Sequence, residues 1–407
     1  MILTLFLAIC LSTQQASAPR NTYFGSYVAC PGDCDGDGRD DIAISSPPWD
    51  PIRRSFVYLI SSRDLKLIRR LEGPSTYGSW GGEMHVLGDV DADSRSDFVL
   101  ADVSHQNGRG TIELISGSTG RGIYRIDGTH ERSFLGAHCA SFRDIDGDGI
   151  RDYGLSRRGP DLAAHLVLAS GKTGKVMTER AMPPWTAFCS TSLAIVASSE
   201  GPRVAVGSML FRRPEPGSVT ILSSAGSVLI LAPIGRESFA RAITAVDDVD
   251  DDGIEDFLVS GGEGKACYYV ILSSGSHQIL RTGVSQFDDE DDFAWSVARL
   301  SRRPDAGALV AVGCPNQWGR FMTRGRVLVQ SVSTGKTLWA IVGRDMAFLG
   351  MSLAEVGDVD GDGVRDIMVG GGSPTNMPPF SEGYAALVSG RNGKLIKEFS
   401  EAEFQAR

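Results

Sequence analysis

The chain is poor in the residues and motifs that most often carry chemistry. Its 407 residues include six histidines, at 85, 105, 130, 138, 165 and 277, and none of them forms an HExxH pair. There is no G-x-S-x-G elbow and no phosphate-cradling P-loop. No CxxC pair is present, which removes the common zinc and thiol-redox signatures. Beyond the N-terminal segment no apolar run is long enough to cross a bilayer as a helix. The formal net charge of −10 argues against nucleic acid or anionic lipid as a general partner.

What the chain has in quantity is aspartate at fixed spacing. In DVDGDGVRD, Asp358, Asp360, Asp362 and Asp366 fall at positions 1, 3, 5 and 9 of a short loop, with Gly363 at the turn in position 6. Four further copies are Asp33-Asp35-Asp37-Asp41, Asp89-Asp91-Asp93-Asp97, Asp144-Asp146-Asp148-Asp152 and Asp248-Asp250-Asp252-Asp256. Carboxylates so spaced converge on a hard cation that takes about six to eight oxygens, normally Ca²⁺. An EF-hand needs a bidentate Glu at position 12 and flanking helices. Here position 12 is Ile44, Leu100, Leu155, Val259 and Val369, inside β-forming runs such as DIAIS and DFLVS, so the loops join strand to strand. Five dications would carry ten positive charges, matching the formal charge of −10. Four carboxylates in one tight loop repel one another without a cation, so the ion is expected to be structural and coupled to folding.

The loops sit inside a longer repeat. Aromatic residues open it at Phe24, Tyr77, Phe134, Phe188, Phe239, Phe293 and Phe348, at intervals of 51 to 57 residues. Each repeat reads as strand, Asp loop, strand, variable loop, strand, tight turn and strand. Third strands such as SFVYLIS, HLVLASG and YYVILSS are apolar on both faces, as when a strand is covered from both sides. Four strands about every 54 residues predict an all-β fold, a seven-bladed β-propeller of four-stranded antiparallel blades. Repeat four reads SSEGPR and repeat six SRRPDAG where the aspartates would fall, so both blades are expected without an ion. Ser94 stands where the other loops have glycine, which predicts a distorted or weaker second site. Each repeat holds its own four strands, so first and last blades are expected to meet by packing rather than by strand exchange.

Residues 1–18 open on ILTLFLAICL and end at Ala16-Ser17-Ala18, the pattern of a secretory signal peptide, leaving 19–407 as the propeller. Export fits weak calcium sites, because extracellular Ca²⁺ is millimolar. Without that segment six cysteines remain, Cys30, Cys34, Cys139, Cys189, Cys267 and Cys314, readable either as disulfides or as buried thiols.

The aromatic-Gly opening (Phe24-Gly25, Tyr77-Gly78), the D-x-D-x-D-G-x-x-D loop and closings such as Ser45-Ser46-Pro47 and Gly313-Cys314-Pro315 resemble the FG-GAP repeat. That repeat builds the N-terminal propeller of integrin α subunits and of related exported proteins. The resemblance implies up to five structural Ca²⁺ and adds the position-7 carbonyls of Arg39, Arg95, Ile150, Ile254 and Val364 as ligands. It places the Asp loops on one face of the disc and the longer connections on the other. The latter carry Trp49, Arg53, Arg54, Arg157, Arg158, Trp185, Phe211, Arg212, Arg213, Trp318, Arg320, Phe321 and Arg324. Trp and Arg are common interface anchors, so that face is expected to bind a protein loop or an acidic glycan. The equal alternative is that these aromatics cover the blade tops. The run Asp288–Asp292 on the same face reads as a solvated loop, with an additional ion or a basic partner as the alternative.

The reading that follows is an exported, calcium-binding adhesion platform without catalysis of its own. The alternative is a polysaccharide lyase or hydrolase that uses the loop face. TLWAI after STGK superficially resembles quinone-dependent dehydrogenase propellers, but its Trp does not recur in the other repeats.

Overall fold

A computed structural model of the protein describes residues 23–47, 54–76, 78–161, 163–183, 190–208, 217–224, 226–231, 239–262, 267–285, 292–315, 324–344, 347–371 and 383–405. Seven four-stranded antiparallel sheets succeed one another, each made of four strands consecutive in sequence. In the last blade they are Ser352–Glu355, Ile367–Gly371, Tyr384–Val388 and Leu395–Phe399. The fold is the seven-bladed propeller that the repeat predicts. The residues from Asp358 to Asp366 lie between the first and second strands of that blade.

Burial follows the apolar pattern. Second and third strands such as Asp256–Gly261 and Tyr268–Leu272 are buried at every residue, because a neighbouring blade covers each face. Fourth strands form the rim, and Val176–Ala181 is mostly exposed. The core lies between blades: Leu258, Tyr269 and Ile271 of the fifth pack on Val310, Val312 and Leu328 of the sixth.

One contact repeats at the blade boundaries and explains both the opening aromatic and the glycine before the third strand. A Cβ on Gly217 would stand 2.7 Å from the backbone of Phe239, and one on Gly383 would stand 2.3 Å from the carbonyl oxygen of Phe24. Any side chain there would force the next blade away. Gly383 and Phe24 belong to the last and first blades, so the ring closes by the contact used elsewhere, with no strand exchanged.

Closure carries one device with no local sequence signal. A short C-terminal helix, Ala402–Gln405, places Phe404 against Tyr58 (ring centroids 5.2 Å apart) and Phe24 (6.1 Å). Just before it, Glu401 accepts hydrogen bonds from the Ser46 hydroxyl and the Tyr58 hydroxyl, both at 2.9 Å. The last turn of the chain thus clasps the first blade.

Blades four and six show what replaces an Asp loop. The strand Ser190–Ser198 runs directly into Gly201–Ser208 through a two-residue turn, and Ser296–Arg303 into Gly307–Cys314. Their first strands are 9 and 8 residues long, against 4 in Ile243–Val246 of the fifth blade. Without the acidic loop the strands extend and pair to their tips.

Candidate metal centre

Each Asp loop is shaped by its own carboxylates. The position-1 aspartate accepts the position-6 N–H, as in Gly38 to Asp33 (2.9 Å), Gly149 to Asp144 (2.8 Å) and Gly363 to Asp358 (2.9 Å). The position-7 N–H donates to the position-5 carboxylate, for example Ile254 to Asp252 at 2.8 Å. These turns wind the backbone so that side-chain oxygens face inward. Three donors come within 4.8 Å of one another in every loop. In four loops they are positions 1, 3 and 9: Asp89, Asp91 and Asp97; Asp144, Asp146 and Asp152; Asp248, Asp250 and Asp256; Asp358, Asp360 and Asp366. In the first they are Asp33, Asp35 and Asp37.

Position 9 is the anchor. Asp41, Asp97, Asp152, Asp256 and Asp366 are fully buried. One oxygen of each accepts the position-2 N–H: Cys34 (2.9 Å), Val90 (2.7 Å), Ile145 (2.8 Å), Val249 (2.8 Å) and Val359 (2.8 Å). The other accepts an N–H from the turn between third and fourth strands: Ser62, Gly117, Gly171, Ser274 and Gly390, at 3.0 to 3.1 Å. This carboxylate therefore ties the acidic loop to the rest of its blade, a role that spacing alone did not disclose. The recurring Ser-Gly or Ser-Ser that ends each of these third strands was the available signal.

In three loops the position-5 side chain is also held by a serine at the turn between third and fourth strands. Ser170 donates to Asp148 and Ser389 to Asp362, both at 3.3 Å, and Ser118 donates to Asp93. Arg391 also donates to Asp362, at 3.2 Å from Nε.

The electrostatics fit a cation. Burial drives the position-9 carboxyls above their ordinary value; backbone N–H groups oppose this, and neighbouring aspartates add to it. Asp41 is pushed up to about 7, and Asp97, Asp256 and Asp366 to about 6. Asp144 is held below the ordinary range by the Gly149 and Gly147 N–H groups, so it keeps its charge. Asp37 Oδ2 is buried with no hydrogen-bond donor, an oxygen that a cation would satisfy. An all-oxygen set of clustered aspartates suits Ca²⁺.

Ser94 does not distort its loop. It takes a left-handed backbone (φ 67°), as Ala92 does (φ 63°), and its N–H reaches Asp89 at 2.9 Å as glycine does elsewhere. The cost is strain rather than shape, about 1–2 kcal/mol for each non-glycine residue. In the sixth blade, which lacks the aspartates, Arg299 reaches the fifth-blade residues Asp247 (2.7 Å) and Glu255 (2.5 Å), and Arg302 reaches Asp247 (3.3 Å). Guanidinium charge thus stands beside a neighbouring acidic loop.

Of the residues expected on the opposite face, Trp49, Arg53, Trp185, Phe211, Arg212, Arg213, Trp318, Arg320 and Phe321 lie outside the described residues, as do Asp288, Asp289, Glu290 and Asp291. Arg54 pairs with Glu72 (3.4 Å), Arg157 is held by Glu179, and Arg158 lies over Phe134 at 5.6 Å. Asp292 departs from the solvated-loop expectation: it is buried and faces Arg241 at 3.5 Å, whose guanidinium stacks on Trp295 at 4.6 Å. Cys30, Cys34, Cys139, Cys267 and Cys314 are free thiols, and all but Cys30 are buried; Cys189 lies outside the described residues.

Fold and loops together define an FG-GAP-like seven-bladed propeller. Comparison with known proteins agrees at the level of the repeat. A stretch of 150 residues is 29% identical to integrin alpha-4 of Xenopus laevis, covering 33% of this chain and 14% of that protein. Seventy residues are 40% identical to protein FAM234B of Gallus gallus, covering 16% of this chain and 11% of that one. The chain thus spans a small part of the length of these relatives. No family model matches. Among solved structures, a quinohemoprotein alcohol dehydrogenase from Pseudomonas putida HK5 aligns over 88% of this chain and 65% of its own, at TM-score 0.45 and 10% identity. Among the described residues no helix is long and apolar enough to cross a membrane.

Proposed function

We propose that the chain is an exported ligand-binding platform: a propeller braced by up to five Ca²⁺ on one face, presenting the other to a protein loop or an acidic glycan, with no catalysis of its own. The observation that carries this reading is the paired design of the acidic loops. Three carboxylates converge in each, and a buried fourth or third member is fastened to the blade through both oxygens. Asp33, Asp89, Asp144, Asp248 and Asp358 would orient each ion site, and the position-9 aspartates would carry its effect into the sheet. Calcium there screens mutual repulsion and stiffens the hairpin; it needs no open coordination position. The likeness to part of integrin alpha-4 supports a recognition role, and the apolar start at residues 1–18 supports export.

Two measurements test it. Metal analysis of purified protein dialysed in calcium should return up to five ions per chain. Ligand screening on immobilised proteins and acidic glycans should give binding that is lost when Trp49, Trp185 and Trp318 are replaced together by Ala. Binding unchanged in that variant refutes the assigned face. Release of reducing ends or unsaturated sugars from acidic polysaccharides would instead establish the enzyme.

A further inference from the structure

At the rim, between the first and second blades, lies a cavity of about 290 Å³ that none of the acidic-loop aspartates lines. Its walls come from the first blade's fourth strand, Leu67–Thr76, and from the second blade's third strand, Thr111–Ile115, with the turn that follows. Small-ligand pockets start at about 300 Å³, so this one suits a single small ring.

The cavity opens where Arg69 takes a place that two other blades give to an aromatic. Arg69 pairs in register with Leu59, as Tyr124 does with Leu114 and Trp339 with Val329. Tyr124 and Trp339 lie against the turn glycine of the next blade. A Cβ on Gly174 would stand 2.7 Å from the Tyr124 ring, and one on Gly393 would stand 2.5 Å from that of Trp339. Both donate to the same turn, Tyr124 Oη to Gly171 O at 2.8 Å and Trp339 Nε1 to Gly390 O at 3.1 Å. Arg69 keeps such a bond, its Nη2 donating to Ser118 O at 2.6 Å, and its stem lies against Gly120. Its slender chain leaves room that a ring would fill.

Two donors lining this cavity have no acceptor among the described residues. Trp80 is 3% exposed and its Nε1 is buried without a partner; the Nε of half-buried Arg69 is in the same position. A buried donor left unpaired is costly, so both N–H groups call for an acceptor from outside the chain. From the second blade, a Cβ on Gly122 would stand 2.7 Å from Glu113 Oε1, so the absent side chain leaves that carboxylate room beside the cavity. Arg69 and Arg70 balance Glu72 and Glu113 around the lining, which favours a ligand without net charge.

We propose that this rim cavity binds a neutral hexose. A hydroxyl oxygen accepts from Trp80 Nε1 and Arg69 Nε while sugar O–H groups donate to Glu113, a combination that neither a carboxylate nor an ammonium offers. A carboxylate would also be repelled by Glu113, and an ammonium by Arg69. The site is separate from the ligand face assigned above, and its occupancy does not depend on that face.

The test uses the full chain in saturating calcium, with its tryptophans labelled with nitrogen-15. The Trp80 indole N–H signal, identified among six tryptophans by its loss in Trp80→Phe, should shift saturably with D-glucose, D-galactose or D-mannose, at a Kd of about 1 mM or weaker. Calorimetric titration of the responding sugar should show affinity lowered at least about tenfold by Arg69→Met, which keeps the stem, and by Glu113→Ala. No response to any of the three hexoses overturns the proposal, and a response to sodium acetate alone replaces it with an anion site. Should Trp80→Phe fail to fold, the calorimetric comparison decides: wild-type affinity in both Arg69→Met and Glu113→Ala contradicts the assignment.

Discussion

Replacing Asp366 by Asn should expose how much one position-9 carboxylate contributes. Its Oδ2 accepts N–H groups from Val359 at 2.8 Å and Asp360 at 3.2 Å, and its Oδ1 accepts that of Gly390 at 3.1 Å. The residue is fully buried, so water cannot replace what is lost. Asn is nearly isosteric, but its NH₂ would face a backbone donor. One buried N–H then loses its acceptor, and the remaining bonds lose charge assistance. A buried donor left unpaired costs about 1–3 kcal/mol, and hydrogen bonds to charged groups contribute about 1.5–3 kcal/mol each. Net destabilisation of about 2–4 kcal/mol follows. For a chain this long each kcal/mol moves Tm by about 2 °C or less, so scanning calorimetry should show a fall of about 5 °C in calcium and a smaller one in chelator, where losing the carboxylate also relieves a buried charge that burial and Asp360 disfavour. The fall is the larger in calcium because an ion ligand goes too. Asp305→Asn, at a mostly exposed ion pair outside the loops, should move Tm by less than about 1 °C. If Asp366→Asn melts within about 1 °C of wild type in both buffers, the anchoring role is wrong.

Other consequences follow from the same geometry. Ala92→Gly with Ser94→Gly should relieve left-handed strain and raise calcium affinity at the second loop, as calorimetric titration would show. Phe404→Ala should cost about 3–5 kcal/mol, read as a lower midpoint in denaturant unfolding, because its ring bridges Tyr58, Phe24 and Phe399. In chelator, stability should fall as pH rises. The unfolded carboxyls titrate near 3.8, whereas Asp97, Asp256 and Asp366 titrate at about 6 and Asp41 at about 7 when folded. The fold therefore holds extra protons between about pH 4 and 7, and that stabilisation is lost as pH climbs through the folded values. Calcium reverses the trend by favouring the ionised form, so melting curves against pH in the two buffers should diverge above about pH 6.

Blade number, strand order and loop positions were legible because each is written locally, in the Phe24-to-Phe348 spacing and in DxDxDGxxD. Packing closure of the ring was legible too, since every repeat carried its own fourth strand. What stayed hidden depends on residues far apart in the chain. Glu401 meets Tyr58 across 343 positions, and no local pattern marks that pair. Glu83 and His138 meet because adjacent blades place their first strands side by side. From spacing, position 9 reads as one ligand among four; its second role lies in the N–H groups of Gly390 and its counterparts, which come from a distant turn of the blade. Glycine's conformational freedom alone predicts a distorted loop at Ser94, yet local hydrogen bonding to Asp89 holds the loop's shape at the cost of strain.

The most direct test is thermal unfolding of the purified protein at pH 7, stripped with chelator and then titrated with calcium while bound ions are counted. The account predicts that Tm climbs by about 10 °C or more as the loops fill, with stoichiometry approaching five and no contribution from blades four and six. An unchanged Tm between chelator and saturating calcium would contradict it.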